Sequence, residues 1–299
     1  MTLNERAARV AERMKASPGV STTTVGGATV LDCREGGVQA GLELARLCLG
    51  GLGEVSLHDG CVYVESGDPV RACLASQYAG WQVSVGRYFA MGSGPMRAAY
   101  GKEKLFDHIG CRESPPVAVG ALETRKPPTE EVIAYLCERV KLPGDKLTLA
   151  CAPAASLPGT VQVVARSLET ALHKLHALGF DLSRVVTGEG DAPLPPVAPD
   201  EGTAIGWTND AILYGGTIEV RVTGDDDTLS AIVGKVPSSS SPDHGRPFKE
   251  LLAAAGGDFY RIDPHLFSPA VIRLVNTDTG RHHYAGRLEP EVLRRSFGG

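Results

Sequence analysis

Three ionisable side chains at helical spacing are the residues of this sequence best suited to acid–base chemistry. Arg166, Glu169 and His173 lie in a segment with a helical apolar period, and at about 100° per residue they share one stripe. A carboxylate can take a proton from water and return it, and a nearby guanidinium favours the ionised carboxylate. On these residues alone, an exposed Arg/Glu pair without function is the more common arrangement on a helix surface. We interpret His173 as such a surface residue.

The surrounding pattern predicts one helix from Val161 to Gly179 that positions this stripe. The apolar residues of the segment fall on the opposite half of the helix and are expected in the core: Val161, Val164, Leu168, Leu172 and Leu175. The stripe therefore faces either solvent or a cleft. The preceding loop, Ala154 to Gly159, is small and rich in Gly and Pro, which lets a helix N-terminus approach a ligand closely.

The remaining elements predict an α+β fold. An amphipathic helix over the first twenty residues precedes two strand pairs, around Gly26-Gly27 and Asp59-Gly60, with a helix from Val38 to Leu49 between them. Ser76 to Pro116 is rich in loop signals. Beyond it, strands alternate with helices, which favours crossover units and a partly parallel sheet, before strands return at 217–223 and 270–276.

We predict two mixed α/β domains with a cleft between them, residues 1–114 and 115–299, with the boundary near Arg112 to Pro116. The chain is free to cross between the two domains more than once.

Composition narrows the class of protein. A net charge of -5 over 299 residues, without a basic block, disfavours nucleic-acid partners. Neither a signal-peptide core nor an apolar run long enough to span a membrane is present in the sequence, so we expect a cytoplasmic protein with no membrane partner. The seven cysteines contain no Cys-x-x-Cys pair and are expected to be reduced.

Metal and nucleotide sites are not predicted. His282 and His283 are adjacent on an expected strand, so they point to opposite faces and cannot bind one metal ion together. No other group of His, Cys or Asp residues has the spacing typical of metal ligands. Gly188-Glu189-Gly190 lacks the third glycine of a nucleotide-binding turn, and prolines follow where a helix is required. The serine run, Ser238 to Ser241, is either a mobile loop near a substrate or a loop without a role.

Several motifs occur in the same order as in a known family. The segment from Gly159 to Asp181 resembles the corresponding helix of methenyltetrahydromethanopterin cyclohydrolases. The likeness extends over nearly the whole chain through five further motifs: Ser76–Gln82, Met91–Pro95, Ala121–Arg125, Thr208–Ile212 and Pro237–Ser241. The family pattern has Ala-Arg where this chain has Met96-Arg97. Each motif is weak alone, and their collinearity carries the resemblance.

The resemblance implies a reaction and its residues. Glu169 matches the family's catalytic glutamate and Arg166 its partner arginine. The reaction would be reversible hydrolysis of methenyl-tetrahydromethanopterin to the formyl form, with neither metal nor prosthetic group, in formaldehyde oxidation or methane formation. The resemblance also implies a homotrimer.

Candidate substrate-binding residues come from the same motifs, and each has a plainer alternative. The turn at Gly92 to Pro95 could place backbone N–H groups around an anion such as the phosphate-bearing tail of a pterin, or it could be an ordinary turn. A capping or turn role is open for the acidic and amide candidates that could line the cleft, Glu123, Asn209 and Asp210. The predicted binding set is Gln77, Ser93, Gly94, Arg97, Glu123, Asn209 and Asp210.

Two other functions remain alternatives. One is an amidohydrolase acting on a different cyclic amidine with the same base. The other is a non-catalytic pterin-binding protein, for which a replaced acid would be expected, whereas Glu169 is intact.

Overall fold

The chain forms two compact units in the computed structural model, which describes residues 1–258 and 261–298. The first unit contains Met1–Val55 and Val70–Gln162, and the second contains Ser56–Pro69 and the residues from Val163 onward. The predicted α+β class with two mixed units is confirmed. The predicted boundary at 114/115 does not separate the units, because it lies inside the first one. The chain crosses between units more than once, as the sequence analysis allowed.

The regular elements are numbered along the chain. The strands are β1 (Ser21–Val25), β2 (Ala28–Asp32), β3 (Gly53–His58), β4 (Cys61–Ser66), β5 (Trp81–Val85), β6 (Tyr88–Ser93), β7 (Ala118–Glu123), β8 (Leu147–Ala152), β9 (Val185–Pro193), β10 (Thr217–Val222), β11 (Val271–Asn276) and β12 (His282–Gly286). The α-helices are α1 (Leu3–Met14), α2 (Val38–Cys48), α3 (Met96–Tyr100), α4 (Leu105–Ile109), α5 (Glu130–Val140), α6 (Leu157–Val164), α7 (Ser167–Ala177), α8 (Glu201–Gly215), α9 (Asp226–Val233), α10 (Phe248–Ala254) and α11 (Pro290–Phe297).

A six-stranded mixed sheet forms the middle layer of the first unit, in the order β1-β2-β8-β7-β6-β5. Strands β2, β8 and β7 are parallel, as the crossover pattern predicted, and the outer pairs are antiparallel. One face packs against α5, and the opposite face packs against α1 and α2. The parallel strands end at one edge of the sheet, where Glu123 follows the buried part of β7.

Two hairpins confirm the predicted turns, although they belong to different sheets. Gly26 and Gly27, with φ of 52° and 84°, connect β1 to β2 in the sheet of the first unit. Asp59 and Gly60, with φ of 50° and 78°, lie between β3 and β4 of the second sheet. Positive φ is inexpensive for glycine and tolerated by Asp, which explains these residues at the two turns.

The prediction of a loop-rich segment from Ser76 to Pro116 is wrong. A π-helix at Val70–Gln77 leads into the β5–β6 hairpin, and α3 and α4 follow. The Trp81 ring stacks on Tyr100 with centroids 4.4 Å apart, which fixes α3 against β5. Hydrophobic periodicity did not predict these short elements, because none of them is long enough to show a clear period.

The second six-stranded sheet has the order β12-β11-β10-β9-β4-β3. Strands β10 and β11 are parallel, and β9 is antiparallel to both β10 and β4. Gly188 and Gly190 lie inside β9 rather than in the turn that a nucleotide-binding motif requires. A Cβ at Gly188 would lie 2.7 Å from Cδ1 of Leu168, so this glycine admits the side chain from α7.

The predicted single helix from Val161 to Gly179 is wrong in one respect, because the structure has two helices. α6 ends at Val164 and α7 begins at Ser167, with Arg166 between them as the N-cap of α7 at φ -83° and ψ 4°. The predicted core half is confirmed, since its five apolar residues are completely buried.

The loop before α6 is held by its own polar groups. The Ser156 hydroxyl donates to the Pro153 carbonyl at 2.8 Å and accepts from the Gly159 N–H at 3.1 Å. A Cβ at Gly159 would lie 1.9 Å from the Pro153 carbonyl oxygen, so only glycine lets the chain turn this tightly. The small residues of this loop therefore allow it to pack closely against the first turn of α6.

We expect Gly159→Ala to lower the free energy of unfolding by about 1–3 kcal/mol, because the added methyl group overlaps backbone that cannot move independently. Chemical denaturation monitored by circular dichroism measures the loss. Gly234→Ala is the matched control, since a Cβ there meets nothing within 4 Å. Equal stability of the two variants would contradict this explanation.

Candidate active site

Arg166 and Glu169 lie at the start of α7. Glu169 is in the first turn of the helix and Arg166 is its N-cap residue. The first turn of a helix presents N–H groups without intrahelical partners and the positive end of the helix dipole, both of which favour a carboxylate. The break after α6 therefore gives Glu169 a helix N-terminus that a single continuous helix would not provide.

Both side chains are buried. Glu169 is 5% exposed and Arg166 is 9% exposed, whereas His173 one turn further is half-buried. A solvated surface salt bridge would leave both charged groups in water. The exposure of Glu169 and Arg166 thus disfavours the surface alternative.

A second group of polar residues lies in the first unit, at the edge where β7 and β8 end. Gln162 of α6 donates through Nε2 to Oε2 of Glu123 at 3.4 Å. Its Oε1 lies 4.0 Å from Sγ of Cys48, which is 3.5 Å from Oγ of Ser93. Cys48, Ser93 and Gln162 are almost fully buried, and Glu123 is half-buried. We call these four residues the polar relay.

The glycine turn after β6 packs closely on β7. Gly94 has φ of 85°, and its N–H donates to the Ser76 carbonyl at 2.9 Å. A Cβ at Gly94 would lie 3.2 Å from Cα of Gly120, so the turn requires glycine for both conformation and space. Gln77, the next residue after Ser76, is completely buried at the end of the π-helix. The turn thus joins the π-helix to the sheet.

Arg97 has a structural role that weighs against the predicted contact with an anionic tail. Its side chain is completely buried and its Nε donates to Glu103 at 2.9 Å. Its Nη1 donates to the carbonyls of Leu74 and Ser76 at 3.0 and 3.2 Å. The guanidinium therefore ties the end of the π-helix to α3. No local sequence pattern indicates these partners.

Asp210 and Asn209 lie within α8 rather than at a strand end. Asp210 is completely buried, and it accepts from the Phe248 N–H at 2.8 Å and from the Ser296 hydroxyl at 2.5 Å. It therefore accepts a hydrogen bond from a backbone N–H at the start of α10. This is the capping role that the sequence analysis gave as an alternative to substrate binding. Asn209 donates from Nδ2 to the Ile205 carbonyl on its own helix at 2.8 Å.

Lys174 is a buried residue that sequence reasoning missed. Its side chain is 2% exposed, and Nζ donates to the His265 carbonyl at 2.6 Å and to the Ser240 hydroxyl at 3.2 Å. Burial lowers the pKa of Lys174 to about 8. A lysine in the last turn of a helix gives no sequence signal of burial, because the same residue is typical of a solvated C-terminus.

The serine run is a 3-10 turn fixed by hydrogen bonds. The Ser238 hydroxyl is buried and donates to the Leu213 carbonyl, and the Ser241 hydroxyl donates to Oδ2 of Asp263 at 2.6 Å. Together with the bond from Lys174, these contacts attach the run to the last turn of α7. The expectation of a mobile loop is therefore not supported.

Metal-ligand clusters and membrane-spanning helices are absent from the described residues. In residues 1–258 and 261–298, no group of three or more His, Cys, Asp or Glu side chains is arranged to hold a metal ion. No helix in that part of the chain is both long and apolar enough to cross a membrane. All seven cysteines lie in the described residues and are thiols that are not joined in disulfides.

Comparison with known proteins identifies the family. A family model described as Cyclohydrolase (MCH) matches residues 2–297. The chain belongs to this cyclohydrolase family. A protein of Methylobacillus flagellatus named methenyltetrahydromethanopterin cyclohydrolase is 44% identical over 283 residues, which cover 91% of this chain and 86% of the relative.

Two further relatives carry the same name. The Rhodopirellula baltica protein is 46% identical over 291 residues, covering 92% of this chain and 87% of its own length. The Methanococcoides burtonii protein is 39% identical over 285 residues, covering 91% of this chain and 89% of its own length. The resemblance stated from the motifs is thereby confirmed.

In this cyclohydrolase, three of the family motifs meet in the first unit. The segment Ser76–Gln82 leaves the π-helix, Met91–Pro95 ends β6, and Ala121–Arg125 ends β7 beside it. The Gly94 to Ser76 hydrogen bond joins the first two motifs directly. Two of these motifs, distant in sequence, contribute Ser93 and Glu123 to the polar relay.

We expect Asp210 to make the stability of the cyclohydrolase depend on pH. Burial raises the pKa of Asp210 to about 7 from its usual 3.8. Between these values the folded state holds a proton that the unfolded state has released, so stability falls as pH rises from about 4 to 7. The melting temperature of the wild type minus that of Asp210→Asn should therefore be smaller at pH 7.5 than at pH 5. A difference that is constant with pH would contradict this role.

Proposed function

We propose that this chain catalyses the reversible hydrolysis of methenyl-tetrahydromethanopterin to the formyl form. The observation that carries the proposal is membership of the cyclohydrolase family over residues 2–297, with relatives of that name at 39–46% identity. The chemistry of the buried pair on α7 supports it, because hydrolysis of a cationic ring carbon needs a base but no further activation.

We assign the proton transfers to Glu169. The methenyl carbon lies between two nitrogens and carries positive charge, so it is open to attack by water. As the water oxygen bonds to this carbon, Glu169 takes one proton and a neutral hydroxyl adduct forms. The resulting carboxylic acid then gives that proton to the departing nitrogen as the nitrogen–carbon bond breaks, which regenerates the carboxylate. The hydroxyl proton leaves as the formyl carbonyl forms, so one proton is released overall.

Arg166 has three roles consistent with its position three residues before Glu169. It favours the ionised carboxylate, it holds the carboxylate in one rotamer, or it donates to the oxygen that becomes the formyl carbonyl. A carboxylate also attracts the cationic substrate, and the low exposure of Glu169 strengthens that attraction relative to water.

For substrate binding we retain Ser93, Gly94, Gln77 and Glu123, which surround the turn after β6 and the end of β7. The buried contacts of Arg97 and Asp210 favour structural roles for these two residues, and Asn209 stays a prediction. The metal-independent reaction, the cytoplasmic location, the homotrimer and the place in one-carbon metabolism also stay predictions implied by the family.

Glu169→Gln should retain pterin binding and lose turnover by about 10²- to 10⁴-fold, because the amide keeps the shape but cannot accept the proton. Loss of the ultraviolet absorbance of methenyl-tetrahydromethanopterin measures turnover, and equilibrium titration measures binding. Glu131→Gln makes the same change in the first turn of α5, where the residue is exposed, and should leave both unchanged. Near-normal turnover of Glu169→Gln would remove this residue from the mechanism.

The substrate is tested by comparing two pterins in the same assay. We expect the absorbance of methenyl-tetrahydromethanopterin to fall on addition of the protein, and that of methenyl-tetrahydrofolate to fall far more slowly. No change with the methanopterin compound, but turnover of another cyclic amidine, would favour the amidohydrolase alternative. Tight binding of the methanopterin compound without turnover would favour a pterin-binding protein.

A further inference from the structure

A serine, a histidine and an aspartate that the proposed mechanism does not use form a hydrogen-bonded chain in the second unit. Asp226 and Ser230 lie one helical turn apart on α9, and His283 lies on β12. The ring of His283 lies between them, with Nδ1 3.2 Å from Oγ of Ser230 and Nε2 3.0 Å from Oδ1 of Asp226. A hydroxyl, an imidazole and a carboxylate in this order are the groups that activate a serine as a nucleophile.

Several contacts fix the carboxylate of Asp226. Its Oδ1 also accepts from Nδ2 of Asn276 at 2.9 Å and from the Thr279 hydroxyl at 3.2 Å. On the other side, Nη1 of Arg281 lies 3.7 Å from Oδ2. The hydrogen bond from His283, followed by these contacts, lowers the pKa of Asp226 below its usual value, so the group is ionised at neutral pH.

The ionised carboxylate decides which ring nitrogen of His283 carries the proton. A carboxylate only accepts hydrogen bonds, so Nε2 beside Asp226 is the protonated nitrogen. In the neutral ring, Nδ1 then presents its lone pair and accepts the hydrogen bond from the Ser230 hydroxyl. The two nitrogens are exchanged relative to the triad of serine proteases, but the base and its carboxylate face the serine in the same order.

The exposure of the three residues suits attack by the serine on a molecule from solvent. The side chains of His283 and Asp226 are 10% and 12% exposed, whereas Ser230 is exposed. Ser230 lies within α9, where N–H groups bond inside the helix and do not form a hole for the oxygen of an attacked carbonyl. An ester that this serine can attack therefore needs a good leaving group.

We propose that Ser230 is a nucleophile that takes the acyl group of small activated esters, with His283 as its general base and Asp226 as the residue that positions the ring. Oγ of Ser230 bonds to the acyl carbon while its proton passes to Nδ1 of His283. The bond from that carbon to the leaving oxygen breaks, and the proton on Nδ1 passes to the leaving alcohol. Water then displaces the acyl group by the same proton transfers, which releases a carboxylic acid and restores the serine.

Reaction of the wild type with p-nitrophenyl trimethylacetate, whose hindered acyl-serine ester is hydrolysed slowly, tests the proposal. Peptide mass spectrometry of quenched samples measures the acylation rate at each serine. We expect Ser230 to react about 10²-fold faster than Ser183, as for the contribution of a general base. Ser183 is the matched control, because it is also exposed but its hydroxyl donates to Asp181 at 2.7 Å. Equal rates at the two serines would overturn the proposal.

The variant His283→Gln separates catalysis by the ring from a structural link between β12 and α9. Glutamine keeps a polar side chain at this position but cannot take a proton, so acylation of Ser230 should fall about 10²- to 10⁴-fold. The rate at Ser183 should not change, and the melting temperature reports whether the variant is folded. An unchanged rate at Ser230 in the folded variant would leave His283 with a structural role only and contradict the proposal.

The pH dependence of the wild type provides a test that needs no variant. Only a neutral imidazole accepts the serine proton, so acylation of Ser230 should accelerate across the range in which histidine side chains titrate, about pH 5 to 8, and then level off. The charged groups that contact the ring or its carboxylate are Asp226 on α9 and Arg281 before β12. A carboxylate with a lowered pKa and a guanidinium do not titrate in that range, so the profile reports the ring. A rate that stays proportional to hydroxide concentration, as for an unassisted hydroxyl, would rule the base out.

Discussion

The end of α6 at Val164 is the constraint on which the candidate active site depends. In one continuous helix, Glu169 would lie mid-helix, where every N–H is used by the helix itself. The break gives α7 its own N-terminus, with Arg166 as the N-cap and Glu169 in the first turn. A buried carboxylate is costly without compensation, and the free N–H groups and dipole of a helix start provide a favourable environment for it. The break thus makes a buried acid tolerable at this point of the chain.

The position of α7 is fixed at both ends by different interactions. Near its start, Leu168 packs into the space above Gly188 of β9, where a larger residue would not fit. In its last turn, Lys174 donates hydrogen bonds to the His265 carbonyl and to the Ser240 hydroxyl, and its side chain is buried. A proton-transfer group must be held within a fraction of an ångström, and a helix anchored at two points meets that requirement better than a loop.

Periodicity predicted the buried half of the α6–α7 segment but not its interruption. The apolar residues keep the same spacing across the break, and Ala165 and Arg166 are good helix formers, so neither period nor propensity marks it. The hairpin turns were predictable because glycine and Asp at positive φ are local signals. The burial of Arg97 depends on Glu103 and on two carbonyls of the π-helix, and such a tertiary set of partners leaves no trace in local sequence.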